Sequence, residues 1–141
     1  MRRLLFVPLF LCACATAPKP DATIAAFTAA FNHLSVDELR PLLAEDATAF
    51  LPMPQFGARI DGREAILAAL APLFEAEKQR GSTMNLQAKE LKVQRAGGAV
   101  IVTFDVGTEA VFSRRTLIIE GGQIVHLHAS NVRPATATTA R

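Results

Sequence analysis

The side chains best suited to chemistry lie in two neighbouring stretches near the C-terminal end of the chain. The segment 123–131 reads Gln-Ile-Val-His-Leu-His-Ala-Ser-Asn and alternates with a period of two, which predicts a strand with two different faces. His126, His128 and Ser130 share one of these faces. An imidazole such as that of His128 can donate a hydrogen bond or transfer a proton near neutral pH.

A two-residue turn at Gly121-Gly122 sets the register between this strand and the one before it. It places Leu117 opposite His126 and Arg115 opposite His128, and directly opposed residues share a face of the sheet. Arg115 would supply a forked donor for a carboxylate. This register predicts a small-molecule pocket with an apolar floor and convergent polar groups. The candidate ligand-binding residues are Arg115, His126, His128, Ser130 and Leu117.

The alternative is that this face is the solvated outside of the sheet. A slip of one residue in the register would exchange the two faces, because side chains alternate along a strand.

Acid–base catalysis would also require a carboxylate in the pocket, and the sequence does not place one there. A tight turn at Gly107-Thr108 would pair Asp105 with Ala110. Asp105 would then face away from Arg115. If the protein is an enzyme, the candidate catalytic residues are His128 as general acid or base and Arg115 as the group that orients the substrate.

No metal site and no cofactor site are predicted. Two histidines separated by one strand residue could both ligate a metal ion, but no third ligand is evident. The chain has no glycine-rich phosphate loop, because its Gly-Gly pairs are hairpin turns. It has no serine nucleophile motif either. Removing Arg2 and Arg3 from the 15 basic residues leaves 13, equal to the 13 acidic ones, so no electrostatic footprint for nucleic acid remains.

The N-terminal segment predicts export. Met1–Arg3 is a basic region and Leu4–Leu11 is a short apolar one, as in signal peptides. The residues Leu11-Cys12-Ala13-Cys14 resemble a bacterial lipobox in which Cys14 is acylated. Acylation would anchor the protein on the periplasmic side of the bacterial envelope, and the alanine that follows the cysteine favours the outer membrane. The alternative is ordinary secretory cleavage after Ala17.

The order of predicted elements is helix, helix, short strand, helix and a meander of four strands. Residues 1–17 form the signal peptide and lipobox region, 18–20 a short tether, 21–133 one folded domain and 134–141 a disordered tail. Hydrophobic residues make up 50% of the chain, which suffices for a buried core. The sequence thus predicts an α+β domain in which a curved antiparallel sheet wraps around three N-terminal helices.

This order of elements resembles the nuclear transport factor 2-like (NTF2-like), or SnoaL-like, superfamily. Two segments carry the likeness, Asp61-Gly-Arg-Glu-Ala-Ile66 and Gly122-Gln-Ile-Val-His-Leu-His-Ala-Ser130, and it is nearest to the small bacterial branch similar to the association domain of calmodulin-dependent kinases. The resemblance covers Asp21–Val132 and implies a cone-shaped, cystatin-like fold with a pocket at its wide end, as well as a homodimer packed through the sheet. Gln123 departs from the family, whose members usually have an aromatic residue there.

This superfamily contains enzymes and non-catalytic binding proteins, so the fold alone assigns no activity. The first hypothesis is an envelope lipoprotein that binds a small, partly apolar molecule without catalysis, and acids are among the candidate ligands. The second is an acid–base enzyme of the isomerase or cyclase type, and the third is a dimeric interaction module with a vestigial pocket. The expected partners are a small-molecule ligand, a membrane through the lipid anchor and a second copy of the chain, but no nucleic acid.

Overall fold

The computed structural model describes residues 19–51, 59–81, 88–107 and 112–132, and its elements follow the predicted order with one additional short strand before the third helix. The helices are α1 (Pro20–Asn32), α2 (Val36–Leu39), which a 3₁₀ turn (Arg40–Leu42) continues, and α3 (Arg63–Gln79). The strands are β1 (Leu43–Phe50), β2 (Ile60–Asp61), β3 (Ala88–Ala96), β4 (Ala99–Gly107), β5 (Phe112–Glu120) and β6 (Gln123–Val132). None of the helices in these ranges is long and apolar enough to cross a membrane.

The six strands form one sheet in the order β2-β1-β6-β5-β4-β3. The predicted α+β architecture and the antiparallel meander β3-β4-β5-β6 are confirmed. The sheet as a whole is mixed rather than antiparallel, because β1 pairs with β6 in parallel. Periodicity in a sequence indicates a strand but not the direction of the strand beside it. Two parallel neighbours need a long connection, and the one between β1 and β6 runs through α3 and β3–β5.

The beginnings of α2 and α3 are set by local chemistry. The side chain of Ser35 accepts a hydrogen bond from the backbone N–H of Glu38 at 3.3 Å, so it caps α2. Gly62 precedes α3 with a φ of 90°, a conformation that favours glycine, and its N–H donates to the carbonyl of Ala47 at 2.8 Å. This bond ties the start of α3 to β1.

The core lies between the helices and one face of the sheet. Phe27 of α1 meets Phe104 of β4 edge to face with ring centroids 6.3 Å apart, and Phe31 meets Phe74 of α3 at 5.2 Å. We call the sheet face that packs on the helices the inner face and the opposite one the outer face. The buried residues of β4, β5 and β6 all lie on the inner face: Val102, Phe104, Leu117, Ile119, Ile124, Leu127 and Ala129.

The inner-face position of Leu127 leads to a stability prediction. Leu127 is 1% exposed whereas Leu91 of β3 is 46% exposed. We expect Leu127→Ala to lower the free energy of unfolding by about 2–5 kcal/mol, because it leaves a cavity in the core. The matched Leu91→Ala variant should stay within about 0.5 kcal/mol of the unmodified protein in the same urea titration. Equal losses in the two variants would contradict the placement of Leu127.

Candidate functional site

The hairpin of β5 and β6 contains a β-bulge that shifts the predicted register. Ile119 pairs with Ile124, as the turn at positions 121 and 122 predicts. The next pair is Ile118 with His126, so Val125 is an extra residue on β6. A bulge of one residue reverses the alternation of all the side chains that follow it.

The predicted pairings of Leu117 with His126 and of Arg115 with His128 are therefore wrong. The observed partners are Leu127 for Leu117, Ala129 for Arg115, Thr116 for His128 and Arg114 for Ser130. The structure does not bring the five candidate residues together on one face. Arg115 and Leu117 lie on the inner face, whereas His126, His128 and Ser130 lie on the outer face.

Arg115 is a partly buried cation on the inner face. Its guanidinium donates to the hydroxyl of Ser113, and this hydroxyl donates to the carbonyl of Ser130 at 3.1 Å. Burial lowers the pKa of Arg115 to about 10, so the side chain stays charged at neutral pH. Among the described residues, no carboxylate lies within ion-pair distance of it. The guanidinium thus retains donors for an anion that the described chain does not supply.

The surroundings of Arg115 on the inner face are apolar. Its partner on β4 is Phe104, which is fully buried, and its partner on β6 is Ala129, which is 5% exposed. Leu117 is also fully buried and belongs to the core beneath this site. An apolar surface with one fixed cation suits an amphipathic ligand that carries a single acidic group.

His126 and His128 form a separate cluster on the outer face with two residues of β1. The hydroxyl of Thr48 lies 2.7 Å from Nδ1 of His126. The ring centroid of Phe50 lies 5.7 Å from that of His126 and 5.9 Å from that of His128. Sequence patterns did not indicate Thr48 or Phe50 as site residues, because these two residues reach the histidines only through the parallel pairing of β1 with β6.

Three effects lower the pKa of His126 below its ordinary value of 6.5. Partial burial is the largest, followed by the charge of His128 and then that of Arg59. Arg59 is itself held by Asp61, whose carboxylate accepts from its Nε at 2.6 Å. These effects favour the neutral imidazole of His126 at neutral pH.

Asp105 lies on the outer face and pairs with Arg114, so its predicted pairing with Ala110 is wrong. Two hydrogen bonds, 2.8 Å and 3.0 Å long, join its carboxylate to Arg114 and lower its pKa. The prediction that Asp105 faces away from Arg115 is confirmed. Arg115 pairs with Phe104 on the inner face, and Asp105, the next residue after Phe104, points to the outer face. No described carboxylate therefore stands beside Arg115 as a general base.

An open groove lies between α1 and β3 and does not include Arg115. Its volume is about 430 Å³, and it is lined by Asp21, Ile24, Ala25, Thr28, Ala29, Asn32 and Leu91. Leu91 belongs to an irregular stretch of β3 opposite Phe104, the residue that pairs with Arg115. Leu91, Phe104 and Arg115 thus lie side by side on three neighbouring strands, with Leu91 at the groove.

Within the described ranges, no group of three or more His, Cys, Asp and Glu side chains is placed to hold a metal ion. Cys14 and the predicted signal region lie outside these ranges, as does the predicted tail 134–141.

Comparison with solved structures shows that the chain has the NTF2-like fold. It matches an NTF2-like protein of unknown function from Pseudomonas putida with a TM-score of 0.65 and 19% identity, over 86% of this chain and 89% of the other. It also matches a protein from Thiobacillus denitrificans named as a candidate association domain of calcium/calmodulin-dependent protein kinase type II, with a TM-score of 0.63 and 26% identity, over 82% of this chain and 97% of the other. A candidate dehydratase of the NTF2-like family from Streptomyces avermitilis matches with a TM-score of 0.65 and 15% identity, over 81% and 94% of the two chains. No protein-family profile and no curated protein sequence matches the chain.

The electrostatics of the outer face can be tested by following the histidine titrations by NMR. We expect His126 to titrate below pH 6.5, and we expect His128→Gln or Arg59→Gln to raise its midpoint by removing a positive neighbour. His33→Gln is the matched control, since His33 pairs with Glu38 at the exposed end of α1, and it should leave the midpoint unchanged.

The same shift links stability to pH. The unfolded chain restores the ordinary pKa of His126, so it binds more protons than the folded chain as the pH falls through 6.5. The folded state should therefore lose stability on acidification through this range, and His126→Gln should lose less. An equal loss in both proteins would contradict the lowered pKa.

Proposed function

We propose that the protein binds a small, partly apolar molecule through an acidic group and does not transform it. The observation that carries this proposal is the charged guanidinium of Arg115, which lies partly buried on the inner face without a carboxylate partner among the described residues. The NTF2-like fold is compatible with such a role but does not specify it.

A cation in apolar surroundings is destabilising unless a counter-charge and hydrogen bonds compensate for the lost hydration. Ser113 accepts one hydrogen bond from Arg115 and fixes the direction of the side chain. A carboxylate on a ligand would accept from the remaining N–H groups in the forked geometry that a guanidinium favours. The inner-face apolar neighbours Phe104 and Ala129 would contact the rest of the ligand.

The positions of the histidines argue against the acid–base enzyme. A general acid at His128 and a substrate anchor at Arg115 would have to share a cavity, but the two side chains lie on opposite faces of the sheet. Asp105 also points to the outer face. The inner face therefore offers a binding cation without a described general base, which favours a binding protein.

The outer face supports a second role, a homodimer in which two sheets pack together. No described helix covers this face, and it carries the apolar side chains Ile101, Ile118 and Phe50. The similarity of 26% to a protein named as an association domain also favours self-association. Partly exposed apolar surface of this kind is typical of contacts between subunits.

We place the protein on the periplasmic side of the bacterial envelope as an outer-membrane lipoprotein. The support is the lipobox-like sequence that ends at Cys14, preceded by a basic and an apolar segment. The described domain begins with α1 at Pro20, so a short tether would separate it from the acylated cysteine.

The ligand proposal can be tested by thermal shift on the full-length chain carrying Cys14→Ser. The panel contains an aliphatic, a steroid-like and a polyketide-like carboxylic acid, each beside its neutral amide. A ligand present at about 100 times its dissociation constant should stabilise the protein by roughly 2.7 kcal/mol, which raises the melting temperature by several degrees. We expect the acids to do so and the amides not to.

Two neighbouring arginines provide the matched variants. Arg115→Met should abolish the shift, because it removes the cation but keeps much of the apolar stem. Arg114→Met changes the next residue on the outer face and should preserve the shift. A shift that survives Arg115→Met, or that the amides reproduce, would contradict the proposed site.

Lipidation has a direct test in bacteria grown with radiolabelled palmitate. We expect the protein to take up the label and Cys14→Ser to lose it. Cys12→Ser is the control, since it changes the other cysteine of the chain and should retain the label. Absence of label in the unmodified protein would favour ordinary cleavage after Ala17.

A further inference from the structure

The outer face has a neutral, largely apolar centre. Ile101 of β4 pairs with Ile118 of β5, and Ile118 pairs with His126 of β6, so one row crosses three strands. In a neighbouring row, Phe50 of β1 pairs with His128. None of these side chains belongs to the buried core, and each is at least partly exposed in the described chain.

The charges of this face lie around the centre and are largely paired. Arg59 and Asp61 form an ion pair beside β1, and Arg114 and Asp105 form one across β5 and β4. Three exposed charges of this face have no ion-pair partner among the described residues, namely Lys92 on the edge strand β3, Glu120 at the end of β5 and Asp46 in the first half of β1. A second copy of the chain presents the same arrangement, so the centres of two outer faces can meet without burying an unpaired charge as long as the histidines are neutral.

His126 and His128 are the titratable groups in the middle of this face. On β1 their neighbours are Thr48 and Phe50, neither of which carries a charge. On β5 their direct partners are Ile118 and Thr116, which are likewise uncharged. Besides that of His128, the charge that acts on His126 is that of Arg59, which is paired with Asp61. The exposed carboxylates of Asp46 and Glu120 lie on the same face, but no carboxylate among the described residues forms a hydrogen bond or an ion pair with either imidazole, so no such bond would stabilise their protonated forms.

We propose that two copies of the chain associate through their outer faces while His126 and His128 are neutral, and that protonation of these histidines separates them. This inference rests on the homodimer proposed above and adds the condition that controls it. A neutral imidazole can be buried with one hydrogen bond, such as that to Thr48, whereas a buried imidazolium requires a counter-charge. Each dimer would contain four such imidazoles, two from each copy, and their like charges would also repel one another.

The size of the effect follows from proton linkage. Excluding protons that the separate copies bind weakens association as the pH falls, and the lowered pKa of His126 puts its share of this effect below its ordinary value of 6.5. Four imidazoles act on each dimer. We therefore expect the dimer dissociation constant to rise at least about tenfold between pH 7.5 and pH 5.5.

The test is sedimentation velocity on the full-length chain carrying Cys14→Ser, in a concentration series at pH 7.5 and pH 5.5. Far-UV circular dichroism at both pH values checks that the chain stays folded. The starting protein should be dimeric at pH 7.5 and shift towards monomer at pH 5.5. The double variant His126→Gln/His128→Gln should be dimeric at both pH values, because glutamine keeps a polar side chain that does not titrate.

Two further variants make the result specific. His33→Gln removes the third histidine, which follows the last residue of α1 and pairs with Glu38, and should keep the original response to pH. Ile118→Arg places a charge in the centre of the outer face and should give monomers at pH 7.5.

The outcomes separate the two proposals. A folded monomer at both pH values would overturn the homodimer and, with it, its control by pH. A dimer of unchanged affinity at both pH values would leave the homodimer standing and overturn the role of the histidines. Acid dissociation that persists in the double variant would also overturn that role, and a stable dimer in Ile118→Arg would overturn the assignment of the interface to the outer face.

Discussion

The β-bulge at Val125 determines which side of the sheet receives the polar side chains of the last hairpin. One extra residue on β6 turns Leu127 and Ala129 towards the helices and turns His126 and His128 away from them. Without the bulge, the two imidazoles would face the phenylalanines of the core and Leu127 would face outwards. Because burying an imidazole without a partner is costly and burying a leucine is favourable, the core stabilises the bulged register.

The division of the sheet into two faces separates two kinds of chemistry. The inner face holds Arg115, a permanent cation whose donors suit an acidic ligand. The outer face holds His126 and His128 beside Thr48 and Phe50, and partial burial lowers the pKa of His126. A ligand site on one side and a contact between subunits on the other can therefore coexist in one small domain, and the two need not respond to the same signal.

The parallel pairing of β1 with β6 joins the first half of the chain to the last hairpin. It brings Thr48 and Phe50 to the histidines, and β1 also contacts α3. At the start of β6, the side-chain amide of Gln123 lies 3.4 Å from the carbonyl of Pro41 and 3.5 Å from that of Leu43. A polar side chain thus links this strand to β1.

Local patterns in the sequence sufficed to predict the α+β class, the order of the elements, the antiparallel meander and the capping of α2, because each depends on residues close together in the chain. They also singled out Arg115 and the two histidines as polar residues on β-strands. The grouping of these residues was decided by tertiary structure. The bulge puts Leu127 and Ala129 among the buried residues. The β1 neighbours of the histidines lie nearly 80 residues away in the chain, as the bond between Thr48 and His126 shows. Alternation along a strand predicts that two faces exist, whereas which face is buried depends on the whole core.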